Sequence, residues 1–136
     1  MQINQNQRYQ PQFGMALRKP NAEVKALLSK IFGANVDQAQ EFADTFQKVA
    51  KQQENNKMVD VEIFASKCTY SDNKTELFPK VYILNKISGG VVKEFKGSEN
   101  YPKSISEALE AANQAADVAA EDAIAKQTVK EIIDNL

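Results

Sequence analysis

The chain has 136 residues, 43% of them apolar and 26% charged, which suits one hydrophobic core rather than two. It carries no His and a single Cys, which removes the commonest general base, Ser-His-Asp and Cys-His nucleophiles, intramolecular disulfides and a zinc site built on thiolates or imidazoles. Seventeen Lys and Arg nearly balance eighteen Asp and Glu. Only Arg8 and Arg18 are arginines and the lysines are scattered, which argues against a nucleic-acid partner.

Residues 1–12 hold five Gln and two Asn and show no apolar period, so they are expected to form a flexible tail. They lack the apolar core of a secretory leader, and no segment reaches the roughly 18–20 apolar residues that cross a bilayer. Together with a lone thiol, Cys68, these features suggest a cytoplasmic protein without membrane attachment. The excess of Lys over Arg and the frequent Asn are what an AT-rich genome, bacterial or phage, would encode. Residues 13–136 are expected to form a single α+β domain.

Phe13, Met15 and Leu17 alternate, which predicts a short strand over 13–18, ended by Pro20. Asn21 is a good N-cap for a helix whose apolar stripe is Val24, Leu27, Leu28, Ile31 and Phe32, closed by Gly33. Asn35, with Gln38 three residues on, predicts a second capped helix with the stripe Ala39, Phe42, Ala43, Phe46, Val49 and Ala50, ending near Asn55 and Asn56. The two-residue turn makes an αα-hairpin, with Phe32, Phe42 and Phe46 as core anchors.

The period then switches to two. Val59, Val61, Ile63 and Ala65 alternate with Asp60, Glu62 and Phe64, a half-buried strand that residues 68–70 extend or follow. Residues 71–74 are a turn, 77–85 the next strand, 87–90 a glycine hairpin turn and 91–96 the last strand. Pro79 places the first half of its strand on an edge or at a bulge. The result is a three- to four-stranded antiparallel meander with helices packed on one face. Ser104 with Glu107 matches a capping box opening a long Ala-rich helix. Its apolar seam is Ile105, Leu109, Ala112, Ala116, Ala119 and Ala123; Glu107, Glu110, Gln114, Asp117 and Glu121 line the opposite side. Val129, Ile132, Ile133 and Leu136 fit a different register, which predicts a break near 126–128 or a separate terminal helix.

The order helix, three strands, helix from Asn35 onward resembles the topology of double-stranded RNA-binding domains, which place a Lys cluster at the start of the last helix. Here Lys103 is followed by Ser104, Ser106, Glu107 and Glu110, so those positions are neutral or acidic. The likeness covers topology alone and identifies no family.

No catalytic, cofactor-binding or metal-ligating set is assigned. The informative feature is a strand apolar on both faces: Val81 and Ile83 share one, Tyr82 and Leu84 the other, and Phe64 falls on the polar side of its own strand. Phe64, Tyr82 and Leu84 are therefore the expected partner-binding surface of a non-enzymatic domain that binds a protein or a copy of itself. The alternative is a small-ligand or catalytic domain using Asp60, Glu62, Tyr70 and Tyr82.

Overall fold

The computed structural model describes residues 16–98 and 100–136. Helix α1 (Ala22–Phe32) and helix α2 (Val36–Gln52) are followed by strands β1 (Val59–Thr69), β2 (Thr75–Asn85) and β3 (Val91–Lys96), then by helix α3 (Lys103–Asp134). The three strands form one antiparallel sheet in the order β1-β2-β3. This is the expected α+β arrangement of hairpin, meander and long helix. The expected tail over 1–12, and the start of the strand expected over 13–18, lie outside the described residues. The remainder of that segment pairs with the outer edge of β1: the Arg18 N–H donates to Val61 O at 2.9 Å, and the Val61 N–H to Ala16 O at 2.6 Å, a parallel bridge.

Local chemistry explains the helix ends. The Asn21 side chain accepts the Val24 N–H at 2.9 Å, and Asn35 accepts Gln38 N–H at 3.0 Å. The reciprocal half of the second capping box is not made, because the Asn35 N–H already donates to Phe32 O at 2.9 Å. Gly33 ends α1 at φ +58°, a conformation that glycine adopts without Cβ strain. Phe42 packs against Phe32 and Phe46 at ring-centroid distances of 5.6 and 6.2 Å. Ala43, expected on the buried stripe, is exposed.

Strands β1 and β2 pair along their whole length, from Val59 opposite Asn85 to Thr69 opposite Thr75. Cys68 and Thr69 extend β1, and β2 starts at Thr75, two residues earlier than its apolar run. Strand β3 pairs with β2 only from Lys80 to Leu84, with a bulge at Ile83/Leu84. Residues 75–79 thus lie beyond the β3 ladder and have a paired strand on one side only, which is where a proline without an N–H is tolerated. Pro79 keeps its acceptor role, taking the Gly97 N–H at 2.9 Å. A Cβ on Gly97 would stand 2.9 Å from Pro79 Cγ and 3.0 Å from Ile105 Cγ1. Gly97→Val should therefore overpack the junction of β2 and α3 and cost about 2 kcal/mol in thermal or urea unfolding. An unchanged midpoint would show that the junction yields freely.

The core joins one sheet face to the helices. Val59, Val61, Ile63, Val81 and Ile83, each at most 1% exposed, meet Val24, Leu28, Phe42 and Val49 from the hairpin and Ile105, Leu109, Ala112 and Ala116 from α3. The small side chains of α3 let its axis lie close to the sheet.

The start and the middle of α3 correct the sequence expectation. Pro102, not Ser104, occupies the N-cap position, and no side chain caps the helix. Proline suits a helix start because its φ is preset and it has no N–H to leave unpaired. Ser104 lies inside the first turn, where its Oγ accepts the Ser98 N–H at 2.7 Å and pins the preceding loop. No break occurs near 126–128. The segment contains neither Gly nor Pro, and i,i+4 ion pairs at Asp122–Lys126 (3.0 Å) and Lys130–Asp134 (2.6 Å) bracket it. Ala116 is the last buried residue of α3 and Ala119 the last to pack against the core, so the helix continues through 120–134, about 22 Å, beyond its last core contact.

Candidate functional site

Alternation along β1 and β2 places Asp60, Glu62, Phe64, Lys80, Tyr82 and Leu84 on the sheet face opposite the core cluster. Asp60 lies across from Leu84, Glu62 from Tyr82 and Phe64 from Lys80. The Phe64 and Tyr82 rings touch diagonally, with centroids 4.8 Å apart and planes at 55°. Lys80 Nζ lies 5.8 Å from the Tyr82 centroid and 3.4 Å from Glu94. The expected trio Phe64, Tyr82 and Leu84 is thus brought together, each residue half-buried.

At one end of this face the charges pair off. Asp60 is buried, and its Oδ2 accepts Arg18 Nε at 3.0 Å and Nη2 at 2.8 Å. Lys86 Nζ stands 3.5 Å from the other oxygen and donates to Asn56 O at 3.0 Å. The hydrogen bond to Asp60 holds Arg18 still more firmly in its charged form. Glu62 Oε1 is 3.7 Å from Arg18 Nε. Burial pushes the Glu62 carboxyl above its ordinary value; Arg18 pulls it back and Asp60 adds to the rise. The folded protein therefore holds this proton more tightly than the unfolded chain does. Ionised Glu62 opposes folding, and stability falls as pH rises from the ordinary carboxylate value through the folded one. Glu62→Gln should be at least as stable as the wild type at pH 7 and lose that advantage near pH 4, measured by urea unfolding. A wild-type advantage at pH 7 would mean that the attraction of Arg18 outweighs burial.

The alternative set Asp60, Glu62, Tyr70 and Tyr82 does not converge. Tyr70 follows the far end of β1, about 33 Å along the strand from Asp60. Its hydroxyl donates to Glu76 at 3.4 Å, and the Glu76 charge raises the phenol above its ordinary value. Among the described residues no group of three or more Cys, Asp or Glu side chains is placed to hold a metal ion. No helix of these residues is long and apolar enough to cross a membrane.

Two features escape sequence reasoning. The first is a buried amide network at the end of α2. Gln53 Nε2 donates to Asn113 Oδ1 at 2.9 Å and to Asn113 O at 3.2 Å, while Gln53 Oε1 accepts Asn56 Nδ2 at 3.0 Å. Asn113 donates in turn to Gln52. The polar run from Gln52 to Asn56 has the composition of a helix end and a loop, which hides this role.

The second feature is the outer half of α3. Val118, Ile124, Val129, Ile132 and Ile133 are 52–66% exposed and Leu136 is 96% exposed. Where this half begins, an apolar groove of about 590 Å³ opens between α3 and the outer strand β3, lined by Val92, Phe95, Ala115, Val118 and Ala119. The register shift at Val129 is the available signal, and in the sequence alone it predicts a break rather than a second face of one helix. A separate, open groove between α2 and α3 is rimmed by Asp37, Glu41, Asp44, Glu107 and Glu110, with Lys48 bridging to Glu110 at 3.1 Å. In comparisons with protein-family models, curated proteins and solved structures, nothing matches the chain.

Proposed function

We propose that the protein is a non-enzymatic association domain that binds a protein through apolar surface outside its core, in the cytoplasm. The observation that carries this reading is the outer half of α3. A short helix without tertiary contacts is marginal in water, and most helical stability in proteins comes from packing an apolar face. Val129, Ile132 and Ile133 form such a face at i, i+3 and i+4, yet all three are more than half exposed, and Leu136 just past the helix end is 96% exposed. The cluster Phe64, Tyr82 and Leu84 offers a second, smaller surface, already half-buried.

Comparative capture tests the reading. The full chain, tagged and immobilised, should retain a protein at stoichiometric level from its native host. The double substitution Val129→Asp and Ile132→Asp should lose it, and the exposed-site control Lys130→Ala should keep it. Tyr82→Asp separates the surfaces: loss of binding with an intact melting transition would move the site to the sheet face. Equal retention by all four chains, or none by any, contradicts the proposal.

A further inference from the structure

The groove between α2 and α3 holds about 850 Å³, within the range of small-molecule sites. On α2 it is lined by Asp37, Glu41, Asp44 and Lys48, at i, i+4, i+7 and i+11, which is one helical face. On α3 the facing row is Lys103, Glu107, Glu110 and Gln114, at the same spacing. Five carboxylates thus share one cleft with two lysines. Lys48 is taken by Glu110 at 3.1 Å, and Asp44 accepts Gln40 Nε2 at 2.9 Å. Among the described residues Asp37, Glu41 and Glu107 enter no ion pair. Like charges gathered on facing walls repel one another and attract a cation.

An acidic helix face alone is ordinary solvated surface. The second observation is Ser106, which lines the same groove and is only 7% exposed. Thr128, also in α3, returns its hydroxyl to Ile124 O at 3.0 Å, whereas the Ser106 hydroxyl makes no hydrogen bond among the described residues. Burying a hydroxyl without a partner costs free energy, and native structures rarely leave one so. Ser106 Oγ therefore presents an unused acceptor to the groove.

We infer that this groove binds a small linear polyamine, with its ammonium groups between the two carboxylate rows and one of them donating to Ser106 Oγ. A point-like metal ion does not suit it, because no group of three or more Cys, Asp or Glu among the described residues is placed to hold one. The carboxylates are instead strung out: Asp37 to Asp44 spans about 10 Å of α2. A chain of ammonium groups joined by methylenes matches such a row, and Ala111 and Thr45 give the methylenes apolar lining. The ends limit the length. The contacts Lys48–Glu110 and Gln53–Asn113 advance together, so α2 and α3 run in the same direction here. Lys103, at the start of the α3 row, and Lys48, at the end of the α2 row, therefore close the groove with positive charge at opposite ends. A short polycation fits between them, whereas a continuous basic helix would run onto both. This site is separate from the outer half of α3 and stands or falls without it.

Calorimetric titration of the full chain with spermidine in low-salt buffer should show saturable binding of one molecule per chain. Glu41→Gln with Glu107→Gln should weaken it at least about tenfold, the loss expected for charge-assisted hydrogen bonds. Glu54→Gln with Glu131→Gln removes the same charge at exposed sites away from the groove and should leave the affinity within about twofold. Ser106→Ala should bind about fivefold more weakly yet melt no lower than wild type, because a buried hydroxyl without a partner adds nothing to stability. Equal weakening by the two charge-neutralising pairs, or no saturable binding, overturns the proposal, since the attraction is then diffuse or absent. Unchanged binding by Ser106→Ala, or displacement of spermidine by an equal concentration of Mg²⁺, also overturns it. An oligolysine peptide that binds through Glu41 and Glu107 where spermidine does not would overturn the small polycation and leave a basic segment of a partner protein as the occupant.

Discussion

Replacing Arg18 by Met should lower the unfolding free energy by about 3 kcal/mol, because it removes the main counter-charge of a buried carboxylate. The Asp60 side chain is only 6% exposed, and two Arg18 nitrogens hold one of its oxygens at 2.8 and 3.0 Å. Lys86, at 3.5 Å from the other oxygen, keeps the loss at the low end of the range for a broken buried pair. The cost arises from Asp60 left behind, not from the pair's net worth. Adding Asp60→Asn to Arg18→Met should therefore restore most of the stability. A loss under about 1 kcal/mol for Arg18→Met would show that the pair behaves as an exposed one. The pair also joins the N-terminal segment to the edge of β1, where the Arg18 N–H bonds Val61 O. The substitution should therefore loosen that bridge before the rest of the sheet.

Gln53→Leu is expected to cost about 2–3 kcal/mol, the penalty for leaving buried polar groups without partners. Gln53 is 1% exposed and Asn113 9%. Leucine fills a similar volume but leaves the Asn113 carboxamide oxygen and the Asn56 amide without the Gln53 bonds of 2.9 and 3.0 Å. Gln47→Ala, on the exposed side of α2, should change stability by less than about 0.5 kcal/mol and serves as the control. Similar urea midpoints for the two variants would mean that the network tolerates a vacancy, with water taking the place of the amide. The network ties α2, the start of β1 and α3 together, so its loss should also loosen the base from which the outer half of α3 projects.

Much of the fold is legible in the sequence because its elements are locally consistent. The asparagine caps, the 3.6-residue stripe of α1 and the two-residue alternation of β1 each point to one structure, and the structure follows them. The start of α3 is less legible because two local signals compete there. Ser104 and Glu107 match a capping box, but Pro102 suits a helix start equally well, and Ser104 finds a better use for its hydroxyl in holding the Ser98 N–H. The continuity of α3 is hidden for a different reason. A change in the register of apolar residues reads as a change of element, whereas a long helix presents successive faces to successive surroundings. The first face, ending at Ala119, meets the core, and the exposed second face begins alongside it at Val118. The face shared by Phe64, Tyr82 and Leu84 follows directly from strand parity. That Tyr70 stands apart from Asp60 depends on the length of β1, which its last residues conceal. The buried role of Gln53 depends on contacts about sixty positions away and leaves no local trace.

Amide hydrogen exchange with and without the captured host protein tests the central claim most directly. If the outer half of α3 is an association surface, amides of residues 120–134 should exchange fast in the free chain and much more slowly with that protein bound. Amides of β1, β2 and the inner half of α3 should stay unchanged. Identical exchange of residues 120–134 in both samples would contradict it and leave this half of the helix as a solitary projection.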